Sequence, residues 1–126
     1  MGSDHLRPPW LGLALQILFW LALVIAVGAA LSPADVIESR LRIWDKLQHV
    51  AAFAVLTGLA SMAYPKARLL LIGERLSFLG AMIEVLQAIP ALHRDCDIDD
   101  WIADTLAIAV VLALAAWIDR SRVWRR

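Results

Sequence analysis

Residues 11–31 read LGLALQILFWLALVIAVGAAL, an apolar run that one polar side chain, Gln16, interrupts. At a rise of about 1.5 Å per residue, a helix of this length spans about 30 Å, the thickness of the hydrocarbon core of a bilayer. Arg7 precedes the run and small residues end it, which is also the pattern of a cleaved signal peptide. The apolar stretch is longer than the core of a usual signal peptide. We therefore expect a transmembrane helix that stays in the mature protein.

The rest of the chain is similarly apolar. Of its 126 residues, 61% are hydrophobic and 19% are charged, and a soluble domain this short could not bury so much apolar surface. Further apolar runs follow at residues 47–64, 69–90 and 101–118. The mixed segment 36–46 predicts a short helix at the membrane surface. The sequence thus predicts a single all-α domain over residues 1–126, a polytopic membrane protein with a bundle of about four transmembrane helices.

Basic residues are distributed unequally between the two sides of such a bundle. With four spans, both termini share a side with the turn at Lys66 and Arg68. Basic residues concentrate on the cytoplasmic side of membrane proteins, so both termini are predicted to be cytoplasmic. A formal net charge of zero gives no reason to expect nucleic acid as a partner. The seven basic residues of the inner side are Arg7, Lys66, Arg68, Arg120, Arg122, Arg125 and Arg126, and the four of the outer side are Arg40, Arg42, Lys46 and Arg94.

Polar residues gather where the outer ends of the predicted spans would lie. They occur on the second span, on the third span, and in the stretch that leads into the fourth. Their similar depth predicts a polar pocket between helices, although the order of the helices around the bundle is not readable from the sequence. The candidate site residues are Asp45, Lys46, His49, Glu84, Gln87, Arg94, Asp97, Asp100 and Asp104.

Glu84 is the most informative of these residues, because an ionised carboxylate inside a span costs several kcal/mol unless it is paired, hydrated or protonated. It could form a structural hydrogen bond with His49, Lys46 or Arg94. It could instead bind a ligand or exchange protons. The same two interpretations, structural and functional, stay open for His49 and Asp104.

The acidic run from Asp95 to Asp100 only partly matches a calcium-binding loop. Asp100 stands where an EF-hand has its turn glycine, and Leu106 stands where it has its bidentate glutamate. The single cysteine, Cys96, excludes an internal disulfide and a cysteine-built zinc site. The sequence contains no hydrolase triad order, phosphate-binding glycine loop or zinc-protease signature. We therefore expect neither a metal nor a cofactor.

Three short motifs follow one another within residues 40–115. They read Asp45-Lys46-Leu47-Gln48-His49, then Ile83-Glu84-Val85-Leu86-Gln87, then Arg94 with the acidic stretch that leads to Asp104. In this order they resemble the VanZ-like family of bacterial membrane proteins, with departures at His93, Asp104 and Ala107. The resemblance implies a protein of the bacterial cytoplasmic membrane. The name-giving member of that family is linked to low-level teicoplanin resistance, which suggests a link to glycopeptide tolerance.

These observations leave three functions open, and all of them have the lipid bilayer as a partner. The leading one is a non-enzymatic envelope protein whose outward-facing pocket binds a lipid headgroup, a lipid-linked cell-wall precursor or a protein partner. The second is a small membrane enzyme acting on a lipid-linked phosphate or glycan, with Glu84 or His49 as general base and Arg94 holding an anion. The third is an ion or proton pathway, which a four-span chain would build as an oligomer. Neither the ligand nor the oligomeric state can be read from the sequence.

Overall fold

The structure is a computed structural model that describes residues 7–32, 40–92, 94 and 96–124. The described residues contain no β-strand, so the predicted all-α fold is confirmed. Sequence-based expectations for residues 33–39, 93, 95, 125 and 126, among them the start of the surface helix and two arginines of the basic tail, lie outside the described residues. The helices are α1 (Pro9–Leu31), α2 (Arg40–Ala63), α3 (Leu69–Gln87) and α4 (Ile98–Trp124), with a short 3-10 turn at Pro90–Leu92.

Proline and polar residues set where the helices begin and end. Pro9 occupies the first turn of α1, where its missing N–H is tolerated. Pro65 disfavours helical geometry at Tyr64, and α2 ends just before that residue. Asp97 precedes α4, and its Oδ1 accepts a hydrogen bond of 2.9 Å from the N–H of Asp99, as the side chains of N-cap residues do. The boundaries therefore follow from local sequence chemistry.

Three helices, α2, α3 and α4, differ in their bounds from the predicted spans. The surface helix predicted for residues 36–46 is not separate, because from Arg40 onward it is the first part of α2. α3 ends at Gln87 rather than at 90, just before the turn that begins with Pro90. α4 runs from Ile98 to Trp124 rather than from 101 to 118, and its 27 residues extend over about 40 Å. The predictions followed hydropathy, which stops at charged residues, whereas helical hydrogen bonding continues through them.

The four helices run alternately up and down, and α2 packs against the other three. α3 packs mainly on α4, and α1 contacts α2 and α3. This arrangement brings the C-terminal ends of α1 and α3 together with the N-terminal ends of α2 and α4. We call this end of the bundle, which carries Asp45, Lys46 and Arg94, the polar end. The turn at Tyr64–Arg68 lies at the opposite end.

The interior of the bundle is apolar and centres on α2. Phe53 and Leu56 of α2 belong to one buried cluster with Leu76 of α3 and Ile108 of α4. Thr57 is fully buried, and its hydroxyl donates a hydrogen bond of 2.6 Å to the carbonyl of Phe53. That polar group is therefore satisfied within its own helix. Within the described residues, the buried side chains beneath the polar end are thus apolar or, like Thr57, hydrogen-bonded.

Apolar side chains also cover the outside of the bundle. Among the described residues, twenty-five large hydrophobic ones are exposed, more than the scattered apolar residues of a soluble surface. α1 and the segment Ile98–Ser121 of α4 are long and apolar enough to cross a membrane. Only 11% of the most apolar stretch of each is buried, whereas the core helix of a soluble protein would be mostly buried. Two of the four helices therefore have the length and surface of membrane spans.

Candidate functional site

The predicted site residues all lie at the polar end, where four helix termini meet. The helix order, which the sequence alone could not provide, brings the three sequence groups together. Their side chains form an outer layer of charged pairs and an inner layer of three buried groups. α2 contributes Asp45, Lys46 and His49, α3 contributes Glu84 and Gln87, and the α3–α4 connection and α4 contribute Arg94, Asp97, Asp100 and Asp104.

Arg94 holds the outer layer together. Its Nη1 donates to both carboxylate oxygens of Asp45 at 3.1 Å, its Nε donates to the carbonyl of Ser32 at 2.8 Å, and its Nη2 donates to the carbonyl of Ala29 at 3.2 Å. The last carbonyls of a helix have no partner within the helix, and the helix dipole favours a cation there. Arg94 therefore joins the end of α1 to the start of α2. Its donors are directed to groups of the chain itself rather than to a bound anion.

Gln87 also binds the end of α1. Its Nε2 donates a hydrogen bond of 2.8 Å to the carbonyl of Ala30, and the residue is only 3% exposed. A buried side-chain amide needs such a partner, because an unpaired one would carry the full cost of its lost hydration. The contact attaches α3 to the C-terminus of α1. Gln87 is thus a positioning residue of the polar end.

Lys46 and Asp100 link α2 to α4. The Nζ atom of Lys46 lies 3.2 Å from Oδ1 of Asp100. Hydrogen bonding to this carboxylate raises the pKa of Lys46 above its usual value, so the amine is charged at neutral pH. The Lys46 side chain is 42% exposed, and water screens a pair of that kind strongly. The pair therefore adds little stability, but it places a carboxylate next to the amine of Lys46.

The inner layer consists of His49, Glu84 and Asp104, one residue from each of α2, α3 and α4. They are 9%, 5% and 1% exposed, respectively. One imidazole nitrogen and one oxygen of each carboxylate all lie within 4.8 Å of one another. Nδ1 of His49 is 3.9 Å from Oδ2 of Asp104, which is too long for a hydrogen bond. The three side chains converge without satisfying one another.

Each of these three residues has a buried atom that finds no hydrogen-bond partner in the described part of the chain. The atoms are Nδ1 of His49, Oε1 of Glu84 and Oδ1 of Asp104. Oε2 of Glu84, by contrast, accepts a hydrogen bond of 3.1 Å from the backbone N–H of Asp97. This contact fixes the Glu84 carboxylate at the start of α4. A buried polar atom without a partner costs about 1–3 kcal/mol, so three of them at one point require an explanation.

The structure also bears on the partners that the sequence suggested for Glu84. Lys46 and Arg94 form their ion pairs with Asp100 and Asp45, and the hydrogen bond of Glu84 comes from a backbone group instead. His49 lies close to Glu84 within the inner layer. Of the three suggested partners, only His49 shares the inner layer with Glu84.

Carboxylates outnumber basic groups at the polar end. Six of them stand against four basic residues within the described part of the chain, of which Lys46 and Arg94 are paired with carboxylates. The region therefore favours a cation or a hydrogen-bond donor over an anion. The acidic residues are Asp45, Glu84, Asp97, Asp99, Asp100 and Asp104, and the basic ones are Arg40, Arg42, Lys46 and Arg94.

A cavity of about 20 Å³ adjoins His49 between α1, α2 and α3. Apolar side chains complete its lining, among them Ala30, Phe53 and Ile83. A space of this size has room for one water molecule, but it is too small for a lipid headgroup. A ligand of the predicted size would therefore bind at the open rim of the polar end rather than in this cavity.

Backbone groups that no sequence pattern indicated complete the site. These are the carbonyls of Ala29, Ala30 and Ser32 and the N–H of Asp97. Side-chain patterns do not mark them, because every residue carries the same backbone atoms. A general signal existed nevertheless, since the last carbonyls of any helix need donors and the side chain of Arg94 is rich in N–H groups.

Comparison of the chain with protein-family models, with curated proteins and with solved structures gives no match. The polar end and its buried groups are therefore the basis for a functional assignment.

Proposed function

We propose that the chain is a four-span protein of the bacterial cytoplasmic membrane, similar to the VanZ-like family, whose polar end binds a lipid or a lipid-linked cell-wall precursor without transforming it. The observation that carries this proposal is the position of the buried His49, Glu84 and Asp104 at one end of a bundle whose sides are apolar. Ionisable residues within membrane segments usually serve function. At one end of the spans, these groups would lie near the polar parts of lipids.

The exposed surfaces of α2 and α3 support four spans rather than two. Both helices carry polar residues: the buried His49 and Glu84 belong to the inner layer, and Glu74 and Arg75 are exposed on α3. Most of the other exposed residues of these two helices are apolar. In lipid, apolar faces need no partner. The exposed apolar residues include Leu47, Val55 and Met62 on α2 and Leu70, Phe78 and Val85 on α3.

Charge supports an orientation with the polar end outside. The turn that carries Lys66 and Arg68 lies at the opposite end from Asp45 and Asp100. Basic residues concentrate on the cytoplasmic side of membrane proteins. We therefore propose that both termini are cytoplasmic and that the polar end faces away from the cytoplasm.

The surplus of carboxylates supports a ligand with a donor group. Lys46 and Arg94 are paired with carboxylates within the chain, so neither of them offers a phosphate an unpaired positive charge. A primary amine would be attracted by the acidic rim and could donate to its carboxylates. We propose an amine-bearing headgroup or precursor as the ligand.

The two other functions have less support. An enzyme that holds an anion with Arg94 would need donors that this residue already uses for Asp45, Ala29 and Ser32. A proton or ion pathway would need polar groups below the inner layer, where the buried residues include Leu56 and Ile108. A link to teicoplanin tolerance has the motif resemblance as its only support, and comparing growth inhibition of a deletion strain with its parent tests it.

Lipid analysis of the purified protein tests the proposed binding. The protein would be extracted into nanodiscs, and the bound lipids would be compared with the bulk membrane by mass spectrometry. We expect enrichment of an unaltered amine-bearing lipid or precursor in the wild type. Glu84→Gln should lose this enrichment, because the substitution removes the buried carboxylate. Glu74→Gln is the matched control, since Glu74 lies exposed on the same helix.

Three outcomes would contradict the proposal. The wild type and Glu84→Gln could retain the same lipids in the same amounts, which would show that the Glu84 carboxylate takes no part in lipid binding. The bound lipid could be anionic and without an amine, which would contradict the charge argument. A chemically altered lipid that depends on His49 would favour the membrane enzyme instead.

A further inference from the structure

The inner layer has the composition of a metal site. It offers one imidazole and two carboxylates, which are ligand types that Zn²⁺ and related ions take from proteins. The three residues come from α2, α3 and α4, and each has a buried atom that is unpartnered within the described residues: Nδ1 of His49, Oε1 of Glu84 and Oδ1 of Asp104. A single bound ion would satisfy all three side chains at once. No metal was expected from the sequence, because the ligands are separated along the chain by 35 and 20 residues.

The distances fit ligands that close on one ion. The three potential ligand atoms lie within 4.8 Å of one another, and Nδ1 of His49 lies 3.9 Å from Oδ2 of Asp104. Ligand atoms bonded to a tetrahedral Zn²⁺ at about 2.0–2.2 Å are about 3.4 Å apart. Each side chain would have to move inward by less than about 1 Å to reach that spacing.

The charge of the inner layer is a second reason to expect a metal ion there. Two ionised carboxylates buried with a neutral imidazole carry a formal charge of −2, and burial of unpaired charge is costly. One divalent ion makes the same group of residues neutral. Lys46 and Arg94 do not supply this compensation, because they pair with Asp100 and Asp45 in the outer layer.

Outer contacts hold the ligands in place, as partners behind metal ligands commonly do. The N–H of Asp97 binds Oε2 of Glu84 at 3.1 Å and leaves Oε1 for a metal. Lys46 precedes His49 on α2, and Asp100 precedes Asp104 on α4, by about one helical turn each. The ion pair between them therefore joins the two helices that supply these ligands. The site therefore has fixed helices behind all three ligands.

We propose that Nδ1 of His49, Oε1 of Glu84 and the carboxylate of Asp104 bind one divalent transition-metal ion of the zinc class. Calcium and magnesium are disfavoured, because both prefer sites built from oxygen alone. Three protein ligands leave a fourth coordination position for a water molecule or for a group of a ligand. The proposal goes beyond the proposed lipid binding and does not depend on it.

Metal analysis of the full chain in detergent tests the site without any lipid ligand. The protein would be purified without a chelator and without a histidine tag, in a Cys96→Ser background that removes the exposed thiol. Inductively coupled plasma mass spectrometry should find about one transition-metal ion per chain. After treatment with a chelator, Zn²⁺ should raise the thermal unfolding temperature, whereas Ca²⁺ at the same concentration should not. Co²⁺ should produce visible absorption bands in the apo protein.

Variants locate the ion. His49→Gln, Glu84→Gln and Asp104→Asn should each weaken Zn²⁺ affinity by at least about tenfold. Asp119→Asn is the matched control, because Asp119 is exposed near the other end of α4. Zn²⁺ affinity that is the same in Asp104→Asn and in the wild type would overturn the proposal. Where a variant does not fold, the Co²⁺ spectrum of the wild type decides, and its absence would also overturn the proposal.

Discussion

Nη1 of Arg94 lies 3.1 Å from both carboxylate oxygens of Asp45, and the same guanidinium donates to the carbonyls of Ala29 and Ser32. One side chain in the α3–α4 connection thus binds the start of α2 and the end of α1. Charge-assisted hydrogen bonds of this kind are about twice as strong as those between neutral groups. The contact fixes the termini around the inner layer, so Arg94 acts as a positioning residue.

Arg94→Lys should destabilise the bundle even though it keeps the positive charge. A lysine amine cannot reach Asp45, Ala29 and Ser32 with the fixed geometry of a guanidinium. We expect the free energy of unfolding to fall by about 1–3 kcal/mol, measured by circular dichroism during denaturation in detergent. Arg75→Lys is the control, because Arg75 is exposed on α3. If both variants match the wild type in stability, charge alone accounts for the role of Arg94.

The sequence predicted much of the helical architecture because hydropathy and prolines are local signals. The run at 11–31 became α1 with nearly the same bounds, and Pro65 ends α2. The prediction of a separate surface helix before residue 47 was wrong. The apolar run starts at residue 47, but the helix that contains it already begins at Arg40. Hydropathy detects the lipid-facing part of a helix and not its ends.

The site was harder to predict because it depends on which helices are neighbours. The sequence selected His49, Glu84 and Asp104 individually, from the cost of a charge inside a span and from helical spacing. Their meeting within 4.8 Å depends on α2 lying against both α3 and α4, which a sequence pattern does not encode. The pairing of Arg94 with Asp45 depends on the same neighbours.

α1 should remain in the mature protein rather than be removed as a signal peptide. Its last turn accepts hydrogen bonds from Gln87 and Arg94 through the carbonyls of Ala30 and Ala29, and a cleavage there would leave these buried donors without partners. Intact mass spectrometry of the protein from bacterial membranes should therefore give a mass that includes α1. A mature chain that starts just after Ala30 would contradict this prediction.

Cys96 should react with a membrane-impermeant maleimide in intact cells. It is exposed in the connection between α3 and α4, on the side that we propose faces away from the cytoplasm. The matched probe is Lys66→Cys in a Cys96→Ser background, since Lys66 is exposed in the turn at the opposite end. This second thiol should react only after the membrane is permeabilised. The reverse pattern would invert the proposed orientation, and labelling of both thiols in intact cells would exclude an odd number of spans between them and so contradict α3 as a span.

Gly73→Ala and Gly58→Ala should differ in stability although the substitution is the same. Alanine favours a helix over glycine by about 1 kcal/mol, and a methyl group at Gly58 meets no atom within 4 Å, so Gly58→Ala should stabilise α2. A methyl group at Gly73 would lie 2.7 Å from Cδ1 of Leu112, a residue of α4. Leu112 can yield in part because the contact involves the end of a flexible side chain, so we expect Gly73→Ala to be neutral or destabilising by about 1 kcal/mol.

The pair of glycines allows the packing cost to be separated from helix propensity. Combining Gly73→Ala with Leu112→Ala removes the side chain that the new methyl group meets. The stability change caused by Gly73→Ala should then approach the change measured at Gly58, and the difference between the two backgrounds gives the coupling energy. Equal stabilisation by both single variants in the wild-type background would show that α3 and α4 are not in close contact at Gly73.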